Sequence, residues 1–153
     1  LMSRIPTPPL FIKGVIQMID RIPPQNINAE QIVLGTMLKD SRCVEMCMAS
    51  LAKDDFYRES HRLIFDCVIT NRKQPKTVAD VACALIERNL LEDVGGMPYL
   101  KALVECAATD RKVFENAIMD IRAKAQTRFI FVVLLENIAY MTSELSKEVK
   151  SRK

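Results

Sequence analysis

A chain of 153 residues supports one domain with at most an appendage, and buries about two-thirds of its unfolded surface. With 49% hydrophobic and 27% charged residues it has the composition of a folded globular protein, which excludes a disordered tail. A net charge of +3 and a pI near 8.6 are too mild to demand a phosphate-rich partner, and four glycines among strong helix formers favour an all-helical fold.

Residues 1–9, LMSRIPTPP, are proline-rich and are expected to be extended or disordered. Leu10 to Asp20 carries the pattern of a short amphipathic helix, with Phe11, Val15, Ile16 and Ile19 as its apolar edge despite Gly14. A docking arm and an appended segment both stay open as readings of residues 1–21. Pro23 and Pro24 then form a rigid strap before the first main helix. Asn28 and Gln31 have the spacing of a capping pair for it. Ile32, Val33, Leu34, Met37 and Leu38 give it one broad apolar face. Gly35 sits in the middle of that helix. Glycine costs about 1 kcal/mol there relative to alanine, so another helix is expected to cross closely at that point.

A second helix is expected from Asp40-Ser41 through Ala49, with Val44, Cys47 and Met48 turned inward. Asp54-Asp55-Phe56-Tyr57 breaks the pattern and returns two aromatics to the core. The third helix, from about Arg58 to Asn71, places His61, Ile64, Phe65 and Val68 on one face. His61 is the sole histidine and lies on an apolar stripe with no second ligand or nucleophile near it in sequence. It is read as a hydrogen-bonded core residue.

Asn71 to Lys76 is a polar turn around Pro75. Thr77 and Asp80 then pair as a helix N-cap, and Val78, Val81, Ala82 and Leu85 form the buried stripe of a fourth helix ending near Asn89. Gly95-Gly96 permits positive φ at a tight junction, and Pro98 suits the first turn of a fifth helix with the stripe Leu100, Leu103 and Val104. Tyr99 falls beside that stripe, at the domain edge.

From about Asp110 to Lys150 there is no proline or glycine, so one long helix, or two with a kink, is expected. Phe131, Leu134, Leu135, Ile138, Met141 and Leu145 follow a three-four spacing, while Ile130, Val133 and Tyr140 add apolar surface on a second side. A helix apolar on more than one face has to be covered, by another subunit or by folding back onto its own head. The five cysteines lack zinc-site spacing and read as reduced and buried. No segment is expected to reach the ~18 apolar residues of a membrane span, and the N-terminus lacks a secretory pattern.

Three stretches occur in a telling order: IPPQNINAEQIVLGTML, then DDFY with HRLIFD (Asp54 to Asp66), then LLEDVGGMPYL (Leu90 to Leu100). Together they make the chain resemble the N-terminal domain of bacterial replicative DNA helicases of the DnaB type, well over Ile22 to Leu103 and more loosely beyond. Arg122, Lys124, Ala125 and Arg128 look like the basic run that starts the first arm of that family's helical hairpin. The resemblance implies an all-α fold in three parts. Residues 1–21 are a partly flexible extension, 22–108 a compact helical head, and 109–153 a long helix forming the first arm of an intersubunit hairpin.

The resemblance also implies a function: oligomerisation and primase docking during primosome formation in DNA replication. Self-association is expected through Phe129, Phe131, Leu134, Leu135, Ile138, Met141 and Leu145, as a dimer or as a trimer of dimers in a hexamer. Tyr99 matches part of the family's primase-facing surface, with Ile130 and Phe131 as further primase-binding candidates. A helicase loader is a possible further partner, and the setting is cytoplasmic, bacterial or mobile-element encoded.

None of the four glycines is followed by the Gly-Lys-Ser/Thr of a phosphate-cradling loop, so this chain is expected to bind no cofactor and hydrolyse no ATP. ATP and Mg belong to the family's motor domain. Two departures are visible: Cys106 to Lys112 replaces a loop usually rich in small residues and asparagine, and FIFVVLL stands where charges commonly alternate. Two other readings stay open. One is a stand-alone, helicase-derived adaptor or inhibitor that binds a replicative helicase. The other, less expected, is direct nucleic-acid binding through Lys147, Lys150, Arg152 and Lys153.

Overall fold

Asn26 opens the first helix, two residues ahead of the Asn28 cap expected from sequence. Its side-chain oxygen accepts from the Ala29 N–H at 3.0 Å, while Asn28 is exposed. The choice between the two asparagines is tertiary: the Asn26 amide nitrogen also donates to the Asp120 carboxylate of the last helix. The computed structural model describes residues 23–70 and 77–152. The expected N-terminal extension and the polar turn Asn71 to Lys76 lie outside the described residues.

Among the described residues the elements are α1 (Ile27–Lys39), α2 (Cys43–Ser50), a single 3₁₀ turn (Lys53–Asp55), α3 (Glu59–Thr70), α4 (Val78–Glu87), α5 (Gly96–Glu105) and α6 (Arg111–Ser151). All are helical, and the fold class is all-α. Helix α1 is the central beam, packed against α2, α3, α5 and α6. The expected crossing at Gly35 is present. A methyl group there would lie 1.9 Å from the Leu103 carbonyl oxygen on α5. One residue along, Thr36 donates to the Ile32 carbonyl at 2.7 Å and accepts from the Ala108 N–H at 2.8 Å, tying α1 to the loop before α6.

Local chemistry sets the other boundaries. Thr77 and Asp80 form a reciprocal capping box at the start of α4. At its far end Asn89 takes a left-handed φ of 57°, and Leu90 N–H closes onto the Leu85 carbonyl at 2.8 Å, a Schellman-type stop. Gly95 and Gly96 both have positive φ, as expected. Gly95 has a second role, since a methyl there would meet Tyr99 Cβ at 2.8 Å. That glycine makes room for the tyrosine.

The core joins Val33, Leu34, Met37, Phe56, Ile64, Phe65, Leu85, Leu100 and Leu103 to four residues of α6: Phe114, Ala117, Ile118 and Ile121. Phe56 and Phe65 pack with ring centroids 4.9 Å apart. Of the α2 residues expected inward, Cys47 is fully buried while Val44 and Met48 are half-buried. The cysteines divide as well, with Cys47 and Cys67 buried, Cys43 and Cys106 half-buried and Cys83 exposed.

Helix α6 runs unbroken for 41 residues and has two parts. Its first turns complete the head's core, whereas its side chains beyond Arg128 are exposed or half-buried. The expectation that no segment has the makings of a membrane span needs correcting. By length and composition α6 is long and apolar enough to cross one, and none of that apolar window is buried. A contiguous apolar run stops at Leu135. The apolar character resumes past Glu136 and Asn137 with Ile138, Tyr140, Met141 and Leu145.

Candidate docking and assembly surface

Two groups of residues converge where α6 leaves the head. The first is a chain of polar side chains inside the bundle. Glu30, in the first turn of α1, is 1% exposed, and His61 on α3 is fully buried. His61 Nδ1 stands 2.7 Å from Glu30 Oε1. The other carboxylate oxygen accepts the Tyr57 N–H at 2.8 Å, and the Arg58 N–H points at Oε1 from 3.4 Å. Glu30 thus places a carboxylate at the N-terminal end of α3, where free N–H groups and the helix dipole favour negative charge.

His61 Nε2 lies 2.6 Å from the Tyr99 hydroxyl, and the two rings stack nearly parallel with centroids 6.1 Å apart. In the tautomer that donates Nδ1–H to Glu30, Nε2 accepts a hydrogen bond from the Tyr99 hydroxyl. Arg58 approaches the same hydroxyl from the exposed side at 3.4 Å. Tyr99 therefore stands half-exposed, with its ring against the bundle and its hydroxyl oriented by a buried histidine.

The second group is the root of the arm. Arg128 donates to the Pro24 carbonyl at 2.7 Å and to the Asp55 carbonyl at 2.6 Å, and its guanidinium lies 5.6 Å from the centre of the Tyr57 ring. Burial pushes the Arg128 pKa down, aided by Arg62 and opposed by the charges of Glu30 and Asp55. The fixed fork of donors suits two carbonyls and an aromatic face together, which an ammonium does not match. Through this one side chain α6 is pinned to the Pro-Pro strap and to the 3₁₀ turn.

Beyond Arg128 the expected interface residues lie on the arm. Phe129, Leu135, Met141 and Leu145 are exposed, Phe129 at 69% and Met141 at 62%, while Phe131, Leu134 and Ile138 are half-buried. Ile130 is 54% exposed. Tyr99 is on α5 and Ile130 and Phe131 are on α6, so the primase candidates come from two different helices. Away from this region an open groove of about 770 Å³ lies between the end of α1 and the start of α6, lined by Lys39, Arg42, Cys43 and Arg111 among others. Its acidic groups are already engaged, Asp40 with Arg42 and Asp110 as the N-cap of α6.

Sequence reading assigned His61 to a hydrogen-bonded core but missed its partner. Glu30 looks in sequence like an ordinary first-turn acid. Arg128 was placed in a basic run, and its clamp on two distant carbonyls leaves no local pattern. Among the described residues no group of His, Cys, Asp and Glu is placed to hold a metal ion.

The sequence model of the DnaB-like helicase N-terminal domain matches residues 22–119. Replicative DNA helicase DnaC of Bacillus subtilis (strain 168) is 39% identical over 92 residues, covering 59% of this chain and 20% of that protein. Replicative DNA helicase DnaB of Mycobacterium leprae is 34% identical over 119 residues, covering 72% of this chain and 20% of that protein. The chain thus spans about one-fifth of the length of these curated relatives. Among solved structures, the N-terminal domain of DnaB helicase from Mycobacterium tuberculosis matches with a TM-score of 0.76 at 29% identity, over 81% of this chain and 89% of that one. The N-terminal domain of Helicobacter pylori DnaB, studied together with its interactions with primase, shares the fold at a TM-score of 0.62 and 18% identity, over 86% of this chain and 97% of that one. The family model covers more than half of the chain and the helical fold agrees with it, so the protein belongs to the DnaB-like helicase N-terminal domain family.

Proposed function

We propose that the chain is the assembly and primase-docking module of a replicative DNA helicase. The observation that carries this reading is the exposed apolar length of α6 beyond Arg128, held out from the head by a half-buried arginine clamp. Large apolar patches on a soluble surface mark a site that another surface covers, and a second copy of the same arm is self-complementary. Phe129, Phe131, Leu134, Leu135, Ile138, Met141 and Leu145 are the contact residues of that pairing, as a dimer or as a step towards a trimer of dimers.

Tyr99 is the leading contact for primase, and the Helicobacter relative's interactions with primase support that choice of partner. The ATP- and Mg-dependent motor, any contact with a helicase loader and the cytoplasmic setting belong to this same reading. Solution mass tests it. Light scattering across a concentration series is expected to give a species heavier than the monomer, and Leu134→Asp is expected to return it to monomer. A wild-type chain that stays monomeric at high concentration overturns the assembly role. Association that persists in Leu134→Asp and appears only with lipid vesicles transfers the apolar arm to a membrane instead. Titration of the helicase-binding domain of a bacterial primase against wild type and Tyr99→Ala tests docking, with weaker binding expected for the variant.

A further inference from the structure

We propose that the buried Glu30–His61 pair couples the Tyr99 hydroxyl to the seat of the arm at Arg128, so that a partner engaging Tyr99 changes how firmly α6 is held. The proposal rests on the docking role of Tyr99 given above, and it concerns how that site is regulated. The path is continuous. From the Tyr99 hydroxyl it is 2.6 Å to His61 Nε2 and, across the ring, 2.7 Å from Nδ1 to Glu30 Oε1. Glu30 Oε2 holds the Tyr57 N–H at 2.8 Å, and the Tyr57 ring lies under the Arg128 guanidinium. Arg128 then grips Pro24 and Asp55 from α6.

Burial is what makes these contacts a relay. His61 is 0% and Glu30 1% exposed, so neither can exchange a lost protein partner for water. When a partner draws the Tyr99 hydroxyl towards itself, His61 Nε2 loses its hydrogen-bond partner. The ring has no solvent to turn to, and the carboxylate's hold on the Tyr57 N–H changes with it. Tyr57 carries the aromatic face on which Arg128 rests. Linkage makes the effect reciprocal: pairing of the arm, which fixes Arg128, alters the affinity at Tyr99 by the same factor. Both ends of the path lie at the surface, Tyr57 is half-buried, and the Glu30–His61 pair between them is enclosed.

His61 is the only histidine in the chain, so its ring gives one unambiguous set of imidazole NMR signals. Arg128→Lys keeps the charge and removes the fork, at the far end of the path from the tyrosine. The expected result is a changed ring ¹⁵N shift for His61 in Arg128→Lys. In Tyr99→Phe, hydrogen exchange at the Tyr57 amide and across residues 125–131 is expected to be about threefold or more faster, while residues 81–85 of α4 are unaffected. Should Arg128→Lys fold poorly, Tyr57→Leu removes the aromatic face while keeping the N–H, and the same ring shift is read. An unchanged His61 signal in the far-end variant, or exchange around Arg128 indifferent to Tyr99→Phe, overturns the coupling. These readings are taken on the monomer as Leu134→Asp, so they hold whether or not the arm pairs. Loss of the assembly role leaves them standing, and their loss leaves the assembly role standing.

Discussion

Gly35 and the carbonyl of Leu103 meet so closely that α1 and α5 have no room for a single methyl between them. A Cβ at Gly35 would sit 1.9 Å from that oxygen and 3.0 Å from the Ala107 nitrogen, and both neighbours are backbone. Backbone cannot step aside as a flexible side chain does, so Gly35→Ala forces the two helices apart. The gain in helix propensity, about 1 kcal/mol, is smaller than the overpacking cost of roughly 1–3 kcal/mol or more. Urea unfolding is expected to show Gly35→Ala as the less stable protein, the reverse of what an isolated helix would show.

Glu30 is the next sensitive point. Removing its carboxylate leaves His61, Tyr57 N–H and Arg58 N–H without their buried partner. Glu30→Ala is expected to cost about 3 kcal/mol, the range seen when one member of a buried polar pair is deleted. Glu30→Gln keeps an acceptor for Tyr57 and is expected to cost about half as much. Denaturant midpoints for the two variants check the order. A Glu30→Gln midpoint equal to that of wild type would show that Glu30 acts by packing alone.

Thiol reactivity offers an independent test of the core. Burial pushes the Cys47 pKa up to about 12, with neighbouring Cys43 adding to it, so its thiolate is scarce at neutral pH. Cys83 is exposed on α4. Brief iodoacetamide treatment followed by mass spectrometry is expected to label Cys83 first and Cys47 only after denaturation.

Acid should act on the α4 cap. Hydrogen bonds from the Thr77 backbone and then its side chain hold the Asp80 pKa below the ordinary 3.8. A depressed carboxylate stabilises the fold fully above its unfolded pKa and loses that contribution as pH falls through the folded one. Wild type is therefore expected to exceed Asp80→Ala in stability at neutral pH, with the gap closing as the pH falls below the ordinary carboxylate value of 3.8. A gap that stays constant with pH would mean that the aspartate acts as a spacer.

The two caps show what was readable in the sequence and what was not. Thr77 and Asp80 are three residues apart and complete each other, so spacing alone identified them. Spacing pointed to Asn28 with Gln31, whereas the cap is Asn26, whose amide also donates to Asp120 on the last helix, far along the chain. The same division runs through the candidate site. That Tyr99 and the arm residues reach the surface was legible because motif and periodicity are local. Glu30, and the clamp made by Arg128, were not, because their partners lie on other helices or are backbone carbonyls that any residue carries. The missed membrane-like stretch has another cause: two polar residues interrupt a run without lowering its average much.

One helix serves both as a stave of the bundle and as the whole of the projecting rod. With a rise of 1.5 Å per residue, the part beyond Arg128 reaches about 34 Å, longer than the head's own helices. Any tilt at its base is magnified by that leverage, and ten degrees at the clamp moves the far end by about 6 Å. The position of the distant tip is then governed by the fit of a few side chains in a small bundle.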